Sequence, residues 1–333
     1  MCEQYHQANQ SVPDALRASE YLAMTGAMPS ETVRMQLSVM GRRVIVEAPD
    51  PLLLAAVAQA YAVWLGAPAV EGRPIQIALE TAAEKDLQGP AEVTVDGPRL
   101  ALSGPGVEGW ADAGSLEAFC RVPASLGTRP AELATEVVDT LLLFLLTRSG
   151  RIPLHAAGVM VGGTAVVLAG PSGTGKSTLS LAAMQRGLRI LSDDTVYIQL
   201  QPSLRIWGFP RPLHVFPADA PRFTAGTRLR QGKLKAVVPL AADASLPVAD
   251  RAVLVLLERG SAVGLRPAAR EEALRALSRL EPGFDLLAEE CAAAAAALAD
   301  AGAWHLTLSS DPAEAIEALI AGFAAASAQI PPP

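Results

Sequence analysis

Cysteine, lysine, aromatic side chains and long apolar runs are all scarce in this chain of 333 residues. Its three cysteines, Cys2, Cys120 and Cys291, stand far apart without a neighbouring His, so the sequence indicates neither a disulfide framework nor a zinc site. The longest apolar run in a predicted helix, residues 141–146, is much shorter than the ~20 residues that cross a bilayer. The N-terminus also lacks a basic start followed by an apolar stretch. We therefore expect a cytoplasmic protein without a membrane partner.

Basic charge is limited as well, because 27 Lys and Arg stand against 34 Asp and Glu and leave a net charge of −7. An acidic balance of this kind argues against nucleic acid as a partner. Half of the residues are hydrophobic and the length suffices for two domains, so the composition predicts a folded protein with a sizeable core. Only four of the basic residues are lysines, namely Lys85, Lys176, Lys233 and Lys235.

A glycine-rich segment at residues 170–177 fits the phosphate-binding pattern G-x-x-x-x-G-K-[ST] at every fixed position. Residues 164–169 before it are apolar and predict a buried parallel strand, whereas residues 178–186 after it predict a helix. Strand, loop and helix in this order are the context that the motif requires. The sequence therefore predicts binding of a nucleoside triphosphate. The candidate contacts are Gly170, Ser172, Gly173, Thr174, Gly175, Lys176, Ser177 and Thr178.

Each residue type in this segment has a defined task. Glycines allow backbone conformations and close approaches that a Cβ would block, so that successive N–H groups can point at one phosphate chain. The helix dipole adds to this attraction. We expect the ammonium of Lys176 at the β and γ phosphates and the hydroxyl of Ser177 on Mg²⁺.

Two adjacent carboxylates, Asp193 and Asp194, follow a short apolar strand predicted over residues 189–192. In an open α/β sheet, ligands bind beyond the carboxyl ends of the strands. We therefore predict that the pair lies beside the phosphate loop, where one carboxylate holds Mg²⁺ and the other accepts a proton from an attacking hydroxyl. An ordinary acidic turn after a strand is the alternative.

The segment over residues 154–198 resembles the catalytic core of the HPr serine kinase/phosphorylase family. The matching features occur in the family's order: His155, a short hairpin, the strand, the glycine-rich loop, the helix, the turn at residues 186–189 and the pair Asp193-Asp194. This resemblance implies an α/β fold with a P-loop catalytic domain of the HPr kinase/PEP carboxykinase-like type. It also implies that Asp193 is the catalytic base, that Asp194 supports the metal and that His155 lies near Asp193.

The chain departs from that family downstream of the acid pair, where the signature E-[IV]-R-G-x-G has no counterpart. This departure weakens the expectation of phosphorylase activity and of HPr itself as the substrate, and the reverse reaction stays open. The chain looks more like the divergent HPr-kinase-related enzymes of ribosomal peptide modification, which phosphorylate a serine of a small peptide or protein. HPr kinases are oligomeric, but the residues behind that property are not matched well enough here to carry it over, so a homo-oligomer is an open alternative.

Four further residues are candidate contacts to the acceptor or to phosphate. Arg211 and His214 lie in a segment that two prolines force into an extended path, and a solvated connector is an equal interpretation. Lys233 and Lys235 belong to a basic patch over residues 222–235, which suits an anionic partner such as ATP or an acidic peptide. A solvated loop face would have the same sequence.

We divide the chain into an N-terminal arm (residues 1–30), a small α+β domain (31–128), a P-loop catalytic domain (129–328) and a tail (329–333). A strongly apolar helix over residues 130–147 is predicted to lead into the catalytic domain and to pack against its sheet.

Three functions share the predicted site. The first is an ATP- and Mg²⁺-dependent kinase that phosphorylates a hydroxyl, with serine as the expected acceptor, in a small protein or peptide. The second is a nucleotide-gated regulatory protein, in which the acid pair only binds metal. The third is a small-molecule kinase, which differs from the first in the acceptor alone.

Overall fold

The computed structural model describes residues 32–67, 72–82, 91–220, 224–230, 232–278 and 285–323. The predicted arm (1–30) and tail (329–333) lie outside these ranges. The chain forms two compact units, residues 1–149 and residues 150–333. Both mix helices with strands, and four sheets are present in the part of the chain just defined. The expected α/β character is confirmed at this level.

The first unit contains a seven-stranded mixed sheet in the order β1-β2-β3-β7-β6-β5-β4. Strands β2, β3 and β7 run parallel to one another, and the other neighbours are antiparallel. The strands are β1 (Val33–Val39), β2 (Arg42–Ala48), β3 (Ile75–Ala82), β4 (Glu92–Asp96), β5 (Arg99–Gly104), β6 (Val107–Asp112) and β7 (Glu117–Pro123).

Local sequence signals explain the first elements of this unit. Met40 and Gly41 adopt positive φ angles of 47° and 72°, which closes the tight hairpin between β1 and β2. Helix α1 (Pro51–Ala60) begins after Asp50, whose carboxylate accepts a hydrogen bond from the Leu52 N–H at 2.9 Å. Proline at the first helical position adds to that start signal.

The sequence did not reveal strands β6 and β7, which complete the sheet. Residues 130–147 are helical as predicted: a short turn (Pro130–Glu132) leads into a π-helical segment (Leu133–Val138) and helix α2 (Asp139–Thr147). However, α2 packs on β3, β6 and β7 of the first unit, whereas the sequence predicted packing on the catalytic sheet. Its buried Asp139 accepts a hydrogen bond from the hydroxyl of Tyr61, which follows α1. The apolar surface of α2 thus serves the N-terminal sheet.

The second unit contains thirteen strands in the described ranges, in sheets of six, four and three. They are β8 (Ile152–Leu154), β9 (Ala157–Val161), β10 (Thr164–Ala169), β11 (Ile190–Ser192), β12 (Val196–Gln199), β13 (Arg205–Trp207), β14 (Leu213–Val215), β15 (Thr227–Arg230), β16 (Lys233–Val238), β17 (Val248–Ala249), β18 (Ala252–Arg259), β19 (Gly264–Pro267) and β20 (Ala303–Leu308). The helices are α3 (Lys176–Gln185), α4 (Arg270–Leu277), α5 (Ala288–Asp300) and α6 (Pro312–Phe323). Single 3-10 turns occur at Ala62–Trp64, Ala124–Thr128, Pro217–Asp219 and Asp285–Leu287.

The six-stranded sheet, in the order β11-β9-β10-β18-β20-β19, forms the middle layer of this unit. Strands β10, β18 and β20 are parallel, whereas β9 runs antiparallel to both β10 and β11. Side chains from α3 and α6 bury one face of the sheet, and side chains from α4 and α5 bury the other. The remaining sheets follow the orders β17-β13-β12-β8 and β14-β16-β15.

Two of the predicted absences concern residues that the structure describes. No helix in the described ranges is long and apolar enough to cross a membrane. Cys120 and Cys291 are buried free thiols, in accord with the predicted lack of a disulfide framework. Burial, together with the nearby charge of Glu290, raises the pKa of Cys291 to about 11, so this group is a neutral thiol at pH 7.

The close pairing of β6 with β7 generates a stability prediction. A Cβ at Gly109 would lie 2.5 Å from the Phe119 carbonyl oxygen and 2.8 Å from the Cys120 sulfur, so the two strands would have to separate. We expect Gly109→Ala to lower the free energy of unfolding by about 1–3 kcal/mol. The control is Gly264→Ala, because a Cβ there approaches only the Thr307 hydroxyl, at 4.0 Å. Urea unfolding of both variants is the measurement, and equal stabilities would contradict the prediction.

Candidate active site

The glycine-rich loop joins β10 to α3, as the motif predicted. Gly173 and Gly175 have positive φ angles of 84° and 122°, which residues with a Cβ rarely adopt. A Cβ at Gly170 would lie 3.3 Å from both Leu257 and Thr174, so the loop also packs closely against the end of β18. Helix α3 begins at Lys176, two residues earlier than predicted, so its first turn includes Ser177.

Lys176 is buried, and its ammonium donates hydrogen bonds to the carbonyls of Gly170 at 2.7 Å and Pro171 at 3.4 Å. The loop is closed by Thr174, whose backbone N–H donates to the Pro171 carbonyl at 3.2 Å and whose hydroxyl donates to the same oxygen. Ser172 is exposed on the loop. The half-buried side chains in the first turn of α3 are Ser177 and Thr178.

Strand β9 determines where the acid pair lies. Because β10 and β11 both run antiparallel to β9, their carboxyl ends point to the same edge of the sheet, about 10 Å apart across the intervening strand. Gly158 pairs with Val167 on one side and with Ser192 on the other. Asp193 therefore comes level with the last residues of β10, immediately before the loop begins.

Two histidines contact the acid pair. The buried Asp193 accepts a hydrogen bond from the backbone N–H of His214 at 3.0 Å, so the start of β14 is attached to this carboxylate. His155 stands two residues before β9, at the same edge, and its Nδ1 lies 3.6 Å from Asp194 Oδ1. The Ser192 hydroxyl oxygen accepts from the N–H groups of Asp194 at 3.4 Å and Thr195 at 3.3 Å.

The segment that leads to His214 crosses β11 in close contact. A Cβ at Gly208 would clash with the backbone of Leu191, so glycine is needed where the two chain segments meet. Arg211 lies two residues before β14 begins. Its guanidinium is 4.3 Å from the centre of the Phe209 ring. The prolines predicted an extended path for this segment. The close approach of Gly208 to Leu191 could be recognised only from the tertiary structure.

The two candidate lysines of the basic patch lie on β16, in the three-stranded sheet. Lys233 is exposed at the start of the strand. The Lys235 ammonium lies 3.2 Å from the centre of the Phe216 ring. Strand β16 also pairs with β14, where Val237 is opposite His214. Lys233 and Lys235 are thus connected to the acid pair through β14, whereas the loop and the acid pair lie at the same edge of the main sheet.

The end of β18 brings two charged residues to the same edge. Glu258 accepts a hydrogen bond from the Thr307 hydroxyl at 2.8 Å and lies 3.7 Å from His305 Nδ1, and His305 Nε2 in turn lies 3.3 Å from Glu272. The next residue, Arg259, was not among the site residues predicted from the sequence. A guanidinium nitrogen of Arg259 would lie 3.1 Å from a Cβ at Gly175.

Within the described ranges, no three His, Cys, Asp or Glu side chains cluster into a metal site of their own. A magnesium ion commonly uses one or two protein ligands and completes its shell with phosphate oxygens and water. The hydroxyl of Ser177 and the half-exposed carboxylate of Asp194 are oxygen donors of the required type. The residues present therefore fit a nucleotide-bound magnesium ion.

The comparison with curated sequences agrees with the resemblance read from the motifs. An 86-residue stretch is 35% identical to the HPr kinase/phosphorylases of Lacticaseibacillus casei and Lacticaseibacillus paracasei, and it covers 26% of this chain and 25% of each relative. The solved Hpr(Ser) kinase/phosphatase from Coxiella burnetii aligns over 54% of this chain and 99% of its own, with 12% identity and a TM-score of 0.28. No family model matches.

The matched stretch is therefore related in sequence to HPr kinase/phosphorylases. The chain matches only a quarter of the length of those curated relatives.

The loop geometry predicts that its two positive-φ glycines differ in their tolerance of a side chain. A Cβ at Gly173 meets nothing within 4 Å, whereas at Gly175 it would also press on Arg259 and lie 3.4 Å from Leu308. We expect Gly173→Ala to lower the free energy of unfolding by about 1–2 kcal/mol through backbone strain alone. Gly175→Ala should lower it further. Thermal unfolding of the two variants tests this order, and a Gly175→Ala protein as stable as Gly173→Ala would contradict it.

Proposed function

We propose that this chain is an ATP- and Mg²⁺-dependent kinase that transfers the γ-phosphoryl group to a hydroxyl, in the first instance a serine, of a small protein or peptide. Its second unit would be a P-loop catalytic domain of the HPr kinase/PEP carboxykinase-like type. One observation carries the proposal: the glycine-rich loop and Asp193 reach the same edge of one sheet, where a phosphate chain and an attacking hydroxyl would meet.

In this mechanism, the backbone amides of the loop and the N-terminus of α3 would hold the triphosphate. Lys176 would exchange its carbonyl partners for the β and γ phosphates, since its ammonium already lies within the loop. Ser177 and Asp194 would hold Mg²⁺. Magnesium bound there would neutralise negative charge on the phosphate oxygens.

Asp193 would act as the general base. It would accept the proton of the acceptor hydroxyl as the new oxygen–phosphorus bond forms and the bond to the β-phosphate oxygen breaks, leaving the electron pair on ADP. The His214 N–H, 3.0 Å away, would help to orient this carboxylate. His155 would orient Asp194 through the 3.6 Å contact.

The acceptor class is proposed from the relatives and from the chain's departure from them. The matched proteins are named HPr kinase/phosphorylases, so a small protein with a hydroxyl acceptor is the starting expectation. The missing downstream signature argues against HPr itself and against the reverse phosphorylase reaction. Arg228 on β15 and Lys233 on β16 are exposed basic residues, which suit an acidic acceptor. Cytoplasmic location and homo-oligomerisation remain predictions.

Transfer of label from γ-labelled ATP tests the proposal. Wild type with Mg²⁺ should label a species in the small-protein and peptide fraction of the host lysate. Asp193→Asn should reduce the transfer rate by about 100-fold or more because the base is lost. Its ATP affinity should stay close to wild type. Lys176→Ala should weaken ATP binding and transfer together.

Asp219→Asn is the matched control, because Asp219 is an exposed carboxylate on a surface turn and should retain wild-type transfer. An Asp193→Asn protein that still transfers label at the wild-type rate would refute the assigned base. If ATP binds tightly and neither peptides nor metabolites are labelled, a nucleotide-gated regulatory protein replaces the kinase. Label that appears only in metabolites would indicate a small-molecule kinase.

A further inference from the structure

Arg259 occupies a defined position at the edge where the glycine-rich loop begins. It is the last residue of β18, which pairs in parallel with β10, and Ala169 at the end of β10 is opposite Leu256. Arg259 therefore extends three residues past that level, alongside the loop. Its guanidinium lies against Gly175, the glycine that precedes Lys176.

The alternation of side chains along β18 separates Arg259 from its neighbour Glu258. Successive residues of a strand point to opposite faces. Arg259 shares its face with Val255 and Leu257, which pack in the cluster that α3 helps to form. Glu258 points to the other face, where it contacts Thr307 and His305. The guanidinium is thus directed to the side of the sheet on which α3 begins.

Arg259 is exposed and has no counter-ion in the part of the chain that the structure describes. Several other arginines of the second unit pair with a carboxylate: Arg186 with Glu317, Arg205 with Asp250, Arg266 with Glu258 and Arg270 with Asp300. A guanidinium that lies on a phosphate-binding loop and has no carboxylate partner is suited to phosphate oxygens, which it can bind with two parallel N–H groups.

We propose that Arg259 is a catalytic residue that binds the terminal phosphate of the nucleotide and stabilises the negative charge that shifts during transfer. This inference rests on the proposed kinase function. As the bond between the γ-phosphorus and the β-phosphate oxygen breaks, electron density moves to that oxygen, and the proton of the acceptor goes to Asp193. Arg259 at the end of β18 and Lys176 at the end of the loop would then hold the triphosphate from neighbouring positions, and the arginine acts from within the same chain.

Glycine at position 175 belongs to this arrangement. A side chain there would displace the guanidinium, because its Cβ would come within 3.1 Å of the arginine nitrogen. The bare backbone lets a long, planar side chain lie beside the loop without blocking it.

The test compares Arg259→Gln with Arg266→Gln, in which a nearby exposed arginine loses the same charge. Titrations with ATP and with ADP, both with Mg²⁺, give an affinity ratio that requires no acceptor. We expect Arg259→Gln to weaken ATP binding by about 10-fold and to leave ADP binding within about 3-fold of wild type. Its kcat should fall by roughly 100-fold. Arg266→Gln should change neither quantity, and Arg259→Lys should restore part of the ATP preference.

The outcomes separate this inference from the function on which it rests. If wild type binds ATP and transfers label while Arg259→Gln retains the wild-type ATP-to-ADP ratio and kcat, the inference is wrong and the kinase stands. If wild type binds no nucleotide, both fail. Thermal unfolding of each variant shows whether it is folded. Should Arg259→Gln be unstable, the titrations on Arg259→Ala decide, since this variant also lacks the charge and an unchanged ATP-to-ADP ratio there would overturn the inference.

Discussion

The antiparallel strand β9 is the constraint on which the candidate site depends. It lies between β10 and β11, so the two strands that carry the loop and the acid pair must end at one edge, level with each other. The same strand begins at that edge and brings His155 with it. A single three-strand unit thus assembles the loop, the proposed base and the proposed metal ligand. Because a register shift by one residue would turn Asp193 to the other face, the buried pairing of these strands also specifies the chemistry.

Around this unit, a backbone contact helps to hold Asp193 in place. Asp193 is buried and takes a hydrogen bond from a backbone N–H, which remains in place whatever the state of nearby side chains. The segment that supplies this N–H is pressed on β11 at Gly208, where no Cβ fits. Lys176 is likewise buried, and the carbonyls of its own loop compensate its charge. Such preorganised groups need little rearrangement when charge develops at a reaction centre.

The two faces of the main sheet divide the charged groups at this edge. Glu258, His305 and Glu272 form a hydrogen-bonded and ionic group on the face covered by α4, together with Arg266. Arg259 lies on the face covered by α3, beside the loop. Alternation along one strand therefore sends adjacent opposite charges to different environments. Mutual neutralisation of the two is avoided, which leaves a cation at the proposed phosphate site.

The sequence by itself determined the local elements whose signals lie within a few residues: the glycine-rich loop with its strand and helix, the β1–β2 hairpin and the capped start of α1. The order of the motifs was also sufficient to indicate the resemblance to HPr kinase/phosphorylases. Only the tertiary structure decided which distant segments meet. The attachment of His214 to Asp193, the packing of α2 on the first unit's sheet and the position of Arg259 beside Gly175 depend on strand order and register. These features join residues that are far apart in the chain, and local propensity carries no information about such pairs. The arrangement of the strands and helices is selected instead by the burial of their complete apolar faces.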